Sequence, residues 1–86
     1  MKEVKIEYFN ATAIVGYGYR LGDTTDTLEE MKQKIDESNE RRRASGYDPE
    51  KWIITLVKIY RAFTDDHRFI KSEETEQAVC IYPAEL

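Results

Sequence analysis

The stretch from Trp52 to Phe63 constrains the fold of this chain more than any other segment, because it is the densest cluster of large apolar and β-branched side chains. As a strand, it would carry Trp52, Ile54, Leu56, Tyr60 and Ala62 on one side and Ile53, Val57, Ile59 and Phe63 on the other. A strand that is apolar on both sides is covered on both sides. In a chain of 86 residues the second cover is hard to supply within one molecule, which predicts a partner.

The same segment also fits a helical stripe, and Asp48-Pro49 before it is a good helix start. We favour a strand because β-branched residues at this density are poor helix formers and good strand formers. Within it, Trp52, Leu56 and Ile59 are predicted to be core residues.

The N-terminal quarter predicts two strands. Residues 3–8 alternate apolar and charged side chains, which is typical of a half-buried strand. Asn10 and Ala11 can turn the chain, and residues 12–21 then return as a second strand. In that register the apolar sets of both strands lie on one face of a hairpin.

A helix is predicted over residues 28–44. Thr27 and Glu30 fit a capping box before it, and Gly46 can end it. Apolar residues lie only in the first half, so the second half, residues 36–43, is expected to lie in water.

After the central strand, Asp65 and Asp66 are predicted to form a turn, and strand segments follow at 68–72 and 78–82. The charged run 71–77 is expected to be an edge strand whose charges oppose aggregation. The sequence therefore predicts a single domain, residues 1–86, of the α+β class. Its sheet is four-stranded, mainly antiparallel and ordered ββαββ, with one amphipathic helix on one face.

The net charge of −4 is unevenly placed, because acidic and basic residues are equal in number before residue 65. The excess of acid lies in the last quarter, which argues against direct nucleic-acid binding and suits a protein partner with a basic surface. The candidate binding residues are Asp65, Asp66, Glu73, Glu74 and Glu76. Their carboxylates can imitate a nucleic-acid backbone and occlude a basic groove.

No motif for catalysis, metal binding or phosphate binding is found. His67 follows two aspartates, but adjacent turn residues rarely converge on one ion. Cys80 lies in a short apolar strand with no base nearby in sequence. We therefore predict a non-enzyme without a cofactor or metal.

Two secondary binding candidates remain open. A glycine-tyrosine face with Tyr17, Tyr19 and Tyr47 can form a shallow groove for a small ligand or a base. Arg41, Arg42 and Arg43 can bind phosphate or carboxylate groups, although consecutive helix residues splay too widely to grip one ligand.

A lone cysteine fits the reducing cytoplasm, and neither a signal-peptide core nor an apolar run long enough to span a bilayer is found. In size, acidity and absence of a catalytic set, the chain resembles small phage-encoded accessory proteins, including anti-CRISPR-type inhibitors. This resemblance is one of general character and transfers no residue.

The predicted function is a small acidic, non-catalytic protein-binding module or inhibitor. The alternatives are a homodimeric structural or assembly protein and a binder of small ligands or nucleic acid through the glycine-tyrosine face. We also expect a homodimer in which the sheet face with Ile14 and Val57 is buried between subunits.

Overall fold

The computed structural model describes residues 1–14 and 18–85. Its elements are β1 (Lys2–Ala13), α1 (Leu28–Ala44), β2 (Trp52–Phe63) and β3 (Phe69–Tyr82). The strands form one antiparallel sheet in the order β1-β2-β3. The α+β class is as predicted, but the four-stranded ββαββ arrangement is wrong: the described sheet has three strands in the order βαββ.

The error lies at Asn10 and Ala11, where β1 continues straight through the predicted turn. Both residues are buried, and they pair with Thr55 and Ile54 of β2. The apolar residues of β1 change sides in mid-strand, from Val4, Ile6 and Tyr8 to Phe9, Ala11 and Ala13. This change of sides resembles a turn in the sequence, but here the helix covers one face of the second half of β1 only.

The segment after residue 17 runs back along the outer edge of β1 through isolated bridges, in place of the predicted strand over residues 12–21. Phe9 exchanges two backbone hydrogen bonds with Thr25, of 2.8 and 3.1 Å. Leu21 N–H donates to the Ala11 carbonyl, and Ala13 N–H donates to the Tyr19 carbonyl, each at 2.9 Å. Val15, Gly16 and Tyr17 of the predicted strand lie outside the described residues.

The prediction of a strand over Trp52–Phe63 is confirmed. The buried core cluster lies at one end of the sheet and consists of Ala11, Ala13, Met31, Ile35, Trp52 and Ile54. Leu56 and Ile59 are only half-buried and lie outside this cluster. The core prediction is therefore right for Trp52 and wrong for Leu56 and Ile59, because the helix packs only over the start of β2.

The predicted helix boundaries are confirmed, and Thr27 is the N-cap, accepting a 3.2 Å hydrogen bond from the Glu30 N–H. The second half of α1 does not simply lie in water. Asn39 is 3% exposed and forms two hydrogen bonds with the Glu50 backbone, of 2.9 and 3.0 Å. A polar side chain thus docks the part of the helix that has no apolar stripe.

The molecule is elongated, with extents of 55 × 19 × 18 Å. We call the side of the sheet that packs against α1 the helix face and the other side the open face. The part of the sheet beyond the core cluster, residues 2–8, 56–63 and 69–77, is called the exposed end. The buried core cluster does not extend into the exposed end, where Val57 and Ala62 are the buried residues and the other described side chains are half-buried or exposed.

Candidate functional site

Strand β3 is an edge strand that is exposed along most of its length. Every residue from Phe69 to Val79 is exposed. The strand pairs with β2 on one side, and the backbone groups on its other side form no hydrogen bond with a described residue. An unpaired row of N–H and C=O groups is a template for pairing with another chain.

The sheet register places the predicted acidic residues of β3 on two faces. Glu74 and Glu76 lie on the open face, opposite Ile59 and Val57. Their positions fall about 6.5–7 Å apart, the repeat of side chains on one face of a strand. Glu73 lies opposite Tyr60 on the helix face.

The acidic residues also differ in their partners. Asp65 and Asp66 lie in the β2–β3 turn, where Asp65 pairs with the Met1 ammonium at 2.7 Å and Asp66 pairs with Arg68 at 3.2 Å. Glu73 pairs with Lys71 at 3.6 Å. Glu74 and Glu76 form no ion pair with any described residue. The structure therefore does not gather the five predicted residues into one cluster. Of the five, Glu74 and Glu76 are the two whose carboxylates can pair with a basic group of another molecule.

The three consecutive arginines lie in different surroundings. The Arg42 Nε–H donates to the Asp48 carbonyl at 2.7 Å, and its guanidinium pairs with the buried Glu50 carboxylate at 3.3 Å. Arg41 and Arg43 are exposed. Arg42 is thus a structural residue that fastens the connection between α1 and β2.

Tyr19 and Tyr47 both contact residues of this same polar connection. The Tyr19 hydroxyl donates to Glu50, and this hydrogen bond, followed by burial, raises the pKa of Tyr19. Its ring also packs edge-to-face on Trp52, with ring centroids 5.5 Å apart. Tyr47 stacks under Arg42 at 5.4 Å. Tyr17 lies outside the described residues.

One surface that the sequence did not suggest is a groove of about 220 Å³ across the exposed end. It is lined by Lys5, Ile6, Glu7, Lys58, Ile59, Tyr60, Glu73 and Thr75. Beside it the Tyr60 hydroxyl donates to Glu3 at 2.9 Å, and this hydrogen bond raises the pKa of Tyr60. The charged residues of 3–7 were visible in the sequence, but only the strand register shows which residues of β2 and β3 lie beside them.

The described part of the chain contains no group of three or more His, Cys, Asp or Glu residues placed to hold a metal ion. His67 lies in the β2–β3 turn with a positive φ of 66°, and its ring is 3.2 Å from the Lys2 ammonium. No helix within residues 1–14 and 18–85 has the length and apolar character needed to cross a membrane.

Comparisons with known proteins give no relative: no protein-family model, no curated protein and no solved structure matches this chain significantly.

Proposed function

We propose that this protein is a non-catalytic binding module that engages a basic surface of a partner protein through β3. The observation that supports this most directly is the exposure of every residue from Phe69 to Val79 on an edge strand. Such a strand accepts an extended segment of a partner by backbone pairing, while its side chains select which segment binds.

The charge of β3 supports a partner with a basic surface. The strand carries Glu73, Glu74 and Glu76 against a single base, Lys71. Lys71 already pairs with Glu73, so the unpaired charge is that of Glu74 and Glu76. Exposed carboxylates accelerate association with a basic partner and disfavour association with acidic proteins. A nucleic-acid-binding groove on the partner has the matching charge, and its occlusion is the mode of inhibition that we propose.

The reducing cytoplasm is the compartment that we propose, because Cys80 is a free, half-buried cysteine and cytoplasmic thiols stay reduced. Catalysis is not part of this proposal. It requires a nucleophile or a general base with its partners, and the mode of action proposed here is surface occlusion alone.

Two matched charge-reversal variants test the proposed function. In one, Glu74→Lys is combined with Glu76→Lys; in the other, Arg41→Glu is combined with Arg43→Glu. Arg42 is kept because it holds the α1–β2 connection. The wild type and both variants are immobilised, exposed to lysate of the native host and compared for proteins retained in stoichiometric amount.

We expect a basic protein to be retained by the wild type and the arginine variant and lost by the glutamate variant. That protein should also release bound nucleic acid when this chain is added. Retention by all three proteins, or loss only in the arginine variant, would contradict the proposal.

A homodimeric assembly protein is the second candidate, favoured by the open face. Val4 and Ile6 on this face are 42% and 40% exposed, and Ile14 just beyond β1 is 44% exposed. Val57 is already fully buried within one chain, so it offers less to a second copy than the sequence suggested. Burial of the open face between two subunits stays a prediction, and it would have to accommodate the Glu74 and Glu76 carboxylates of that face.

A further inference from the structure

We propose that this chain self-associates through the free edge of β1, residues 2–7, which pairs antiparallel with the same edge of a second copy. The two-fold axis passes through Val4, perpendicular to the sheet, and the product is a continuous six-stranded sheet. This inference does not rest on the proposed function, because it uses the opposite edge of the sheet.

The first observation is that the edge of β1 is covered for only half of its length. Phe9, Ala11 and Ala13 direct backbone groups outward to residues 19–25. Because outward groups recur at every second residue of a strand, Glu3, Lys5 and Glu7 also direct N–H and C=O groups outward. These groups form no hydrogen bond with a described residue.

The second observation is that the covered half limits the register of pairing. The outward N–H and C=O groups of Phe9 are already hydrogen-bonded to Thr25. A second copy can therefore pair only with residues that precede Phe9. Pairing symmetrically about Val4 places Glu3 opposite Lys5 of the second copy. The two-fold axis also places Lys5 opposite Glu3 of the second copy, so the interface contains two such pairs. Each such pair exchanges both backbone bonds, which gives about four new hydrogen bonds. Pairing about Ile6 would instead place Glu3 opposite Phe9, which is already occupied.

The third observation is that the charges match in this register. Glu3 and Lys5 both lie on the helix face, since they pair with Ala62 and Tyr60 of β2. The Lys5 ammonium forms no ion pair with a described residue, while the Glu3 carboxylate accepts one hydrogen bond from Tyr60. Opposite charges directly across a strand pair stabilise it, and like charges oppose it.

The other exposed surfaces fit a second copy less well. Strand β3 carries three glutamates and one lysine. Pairing β3 with β3 of a second copy would therefore bring like negative charges together. Face-to-face packing through the open face would remove Glu74 and Glu76 from water, and a buried carboxylate without a partner is strongly unfavourable. Pairing at β1 buries neither of these side chains, and residues 2–7 carry equal numbers of acids and bases.

Charge swaps test the pairing and its register. Glu3→Lys and Lys5→Glu each replace two attractive pairs with two repulsive pairs, so each should weaken self-association about tenfold or more. The double variant Glu3→Lys/Lys5→Glu restores opposite charges and should restore the dimer. An equimolar mixture of the two single variants should form a heterodimer. Mass is measured by light scattering and sedimentation up to about 100 µM, since small interfaces are weak.

A cysteine pair gives a second readout in a Cys80→Ser background. Val4 lies opposite Val4 of the second copy at a non-hydrogen-bonded position, where Cα atoms are about 4.5 Å apart and a disulfide is feasible. Val4→Cys should therefore form a disulfide dimer quickly under mild oxidation. Ile6→Cys is the matched control, because Ile6 lies opposite Lys2 and far from its own copy.

A wild-type chain that stays monomeric at the highest concentration would overturn the proposal. So would a dimer that survives both single charge variants but dissociates on Ile14→Lys, since that result identifies packing through the open face. Faster disulfide formation by Ile6→Cys than by Val4→Cys would overturn the register about Val4.

Discussion

Asn39 shows how one side chain docks a helix end that has no apolar residues. Its amide oxygen accepts from the Glu50 N–H, and its amide N–H donates to the Glu50 carbonyl. Both backbone groups lie in a buried residue, where an unsatisfied polar group is costly. Arg42 and Tyr19 then bind the Glu50 carboxylate, so residue 50 is the point where α1, β2 and residues 18–25 meet.

At this scale we predict that Asn39→Ala lowers the free energy of unfolding by about 2–4 kcal/mol, because two buried backbone groups lose their partner. Urea denaturation monitored by Trp52 fluorescence measures the change. Glu40→Ala, at an exposed position of the same helix, is the control and should change stability by less than about 0.5 kcal/mol. An equal effect of both substitutions would show that the Asn39 hydrogen bonds do not stabilise the fold.

Each strand of this sheet is covered unevenly along its length. In β2, Ile54 is fully buried in the core cluster, whereas Leu56 lies two residues further on the same face and is half-buried. The difference arises because α1 buries Met31 and Ile35 against the start of β2 only. Residue type alone does not reveal this difference.

We therefore predict that Ile54→Ala lowers the free energy of unfolding by about 2–5 kcal/mol, as expected when a buried aliphatic side chain leaves a cavity. Leu56→Ala should be clearly less destabilising, because part of its side chain is already in water. Urea melts of the two variants under the same conditions give the comparison. A larger effect of Leu56→Ala would mean that the exposed end is covered in solution.

The whole molecule has its buried core cluster at one end of the sheet, whereas at the exposed end only Val57 and Ala62 are buried. Its sheet is held at the exposed end by strand pairing and by surface contacts such as the Lys58–Glu7 pair at 4.0 Å, and surface ion pairs of this kind contribute little. Local openings cost least where few apolar contacts are buried. The two ends are therefore expected to differ in stability although the same strands run through both.

Native-state hydrogen exchange tests this difference within β2, whose amides all lie in the central strand. Below the concentration at which the chain self-associates, amides near Ile54 should exchange at least about tenfold more slowly than amides near Tyr60. Uniform protection along β2 would show instead that the sheet opens as one cooperative unit.

Local patterns in the sequence determined the elements that depend on neighbouring residues. The cap at Thr27 and the apolar residues of the first turns specify α1, and the β-branched run specifies β2. The acidic character of β3 was also visible, because charge does not depend on pairing.

Tertiary structure alone decided the number of strands, the partners and the available surfaces. A local pattern assigns one apolar side to a strand, but the apolar side of β1 changes where the helix begins to cover it, so Asn10 and Ala11 resemble a turn in the sequence. The burial of Asn39 could not be predicted from the apolar pattern, because it depends on hydrogen bonds to the backbone of Glu50, eleven positions away. The opposite charges of Glu3 and Lys5 suggest pairing with a second copy only because the tertiary structure leaves this edge of β1 without a strand partner among the described residues.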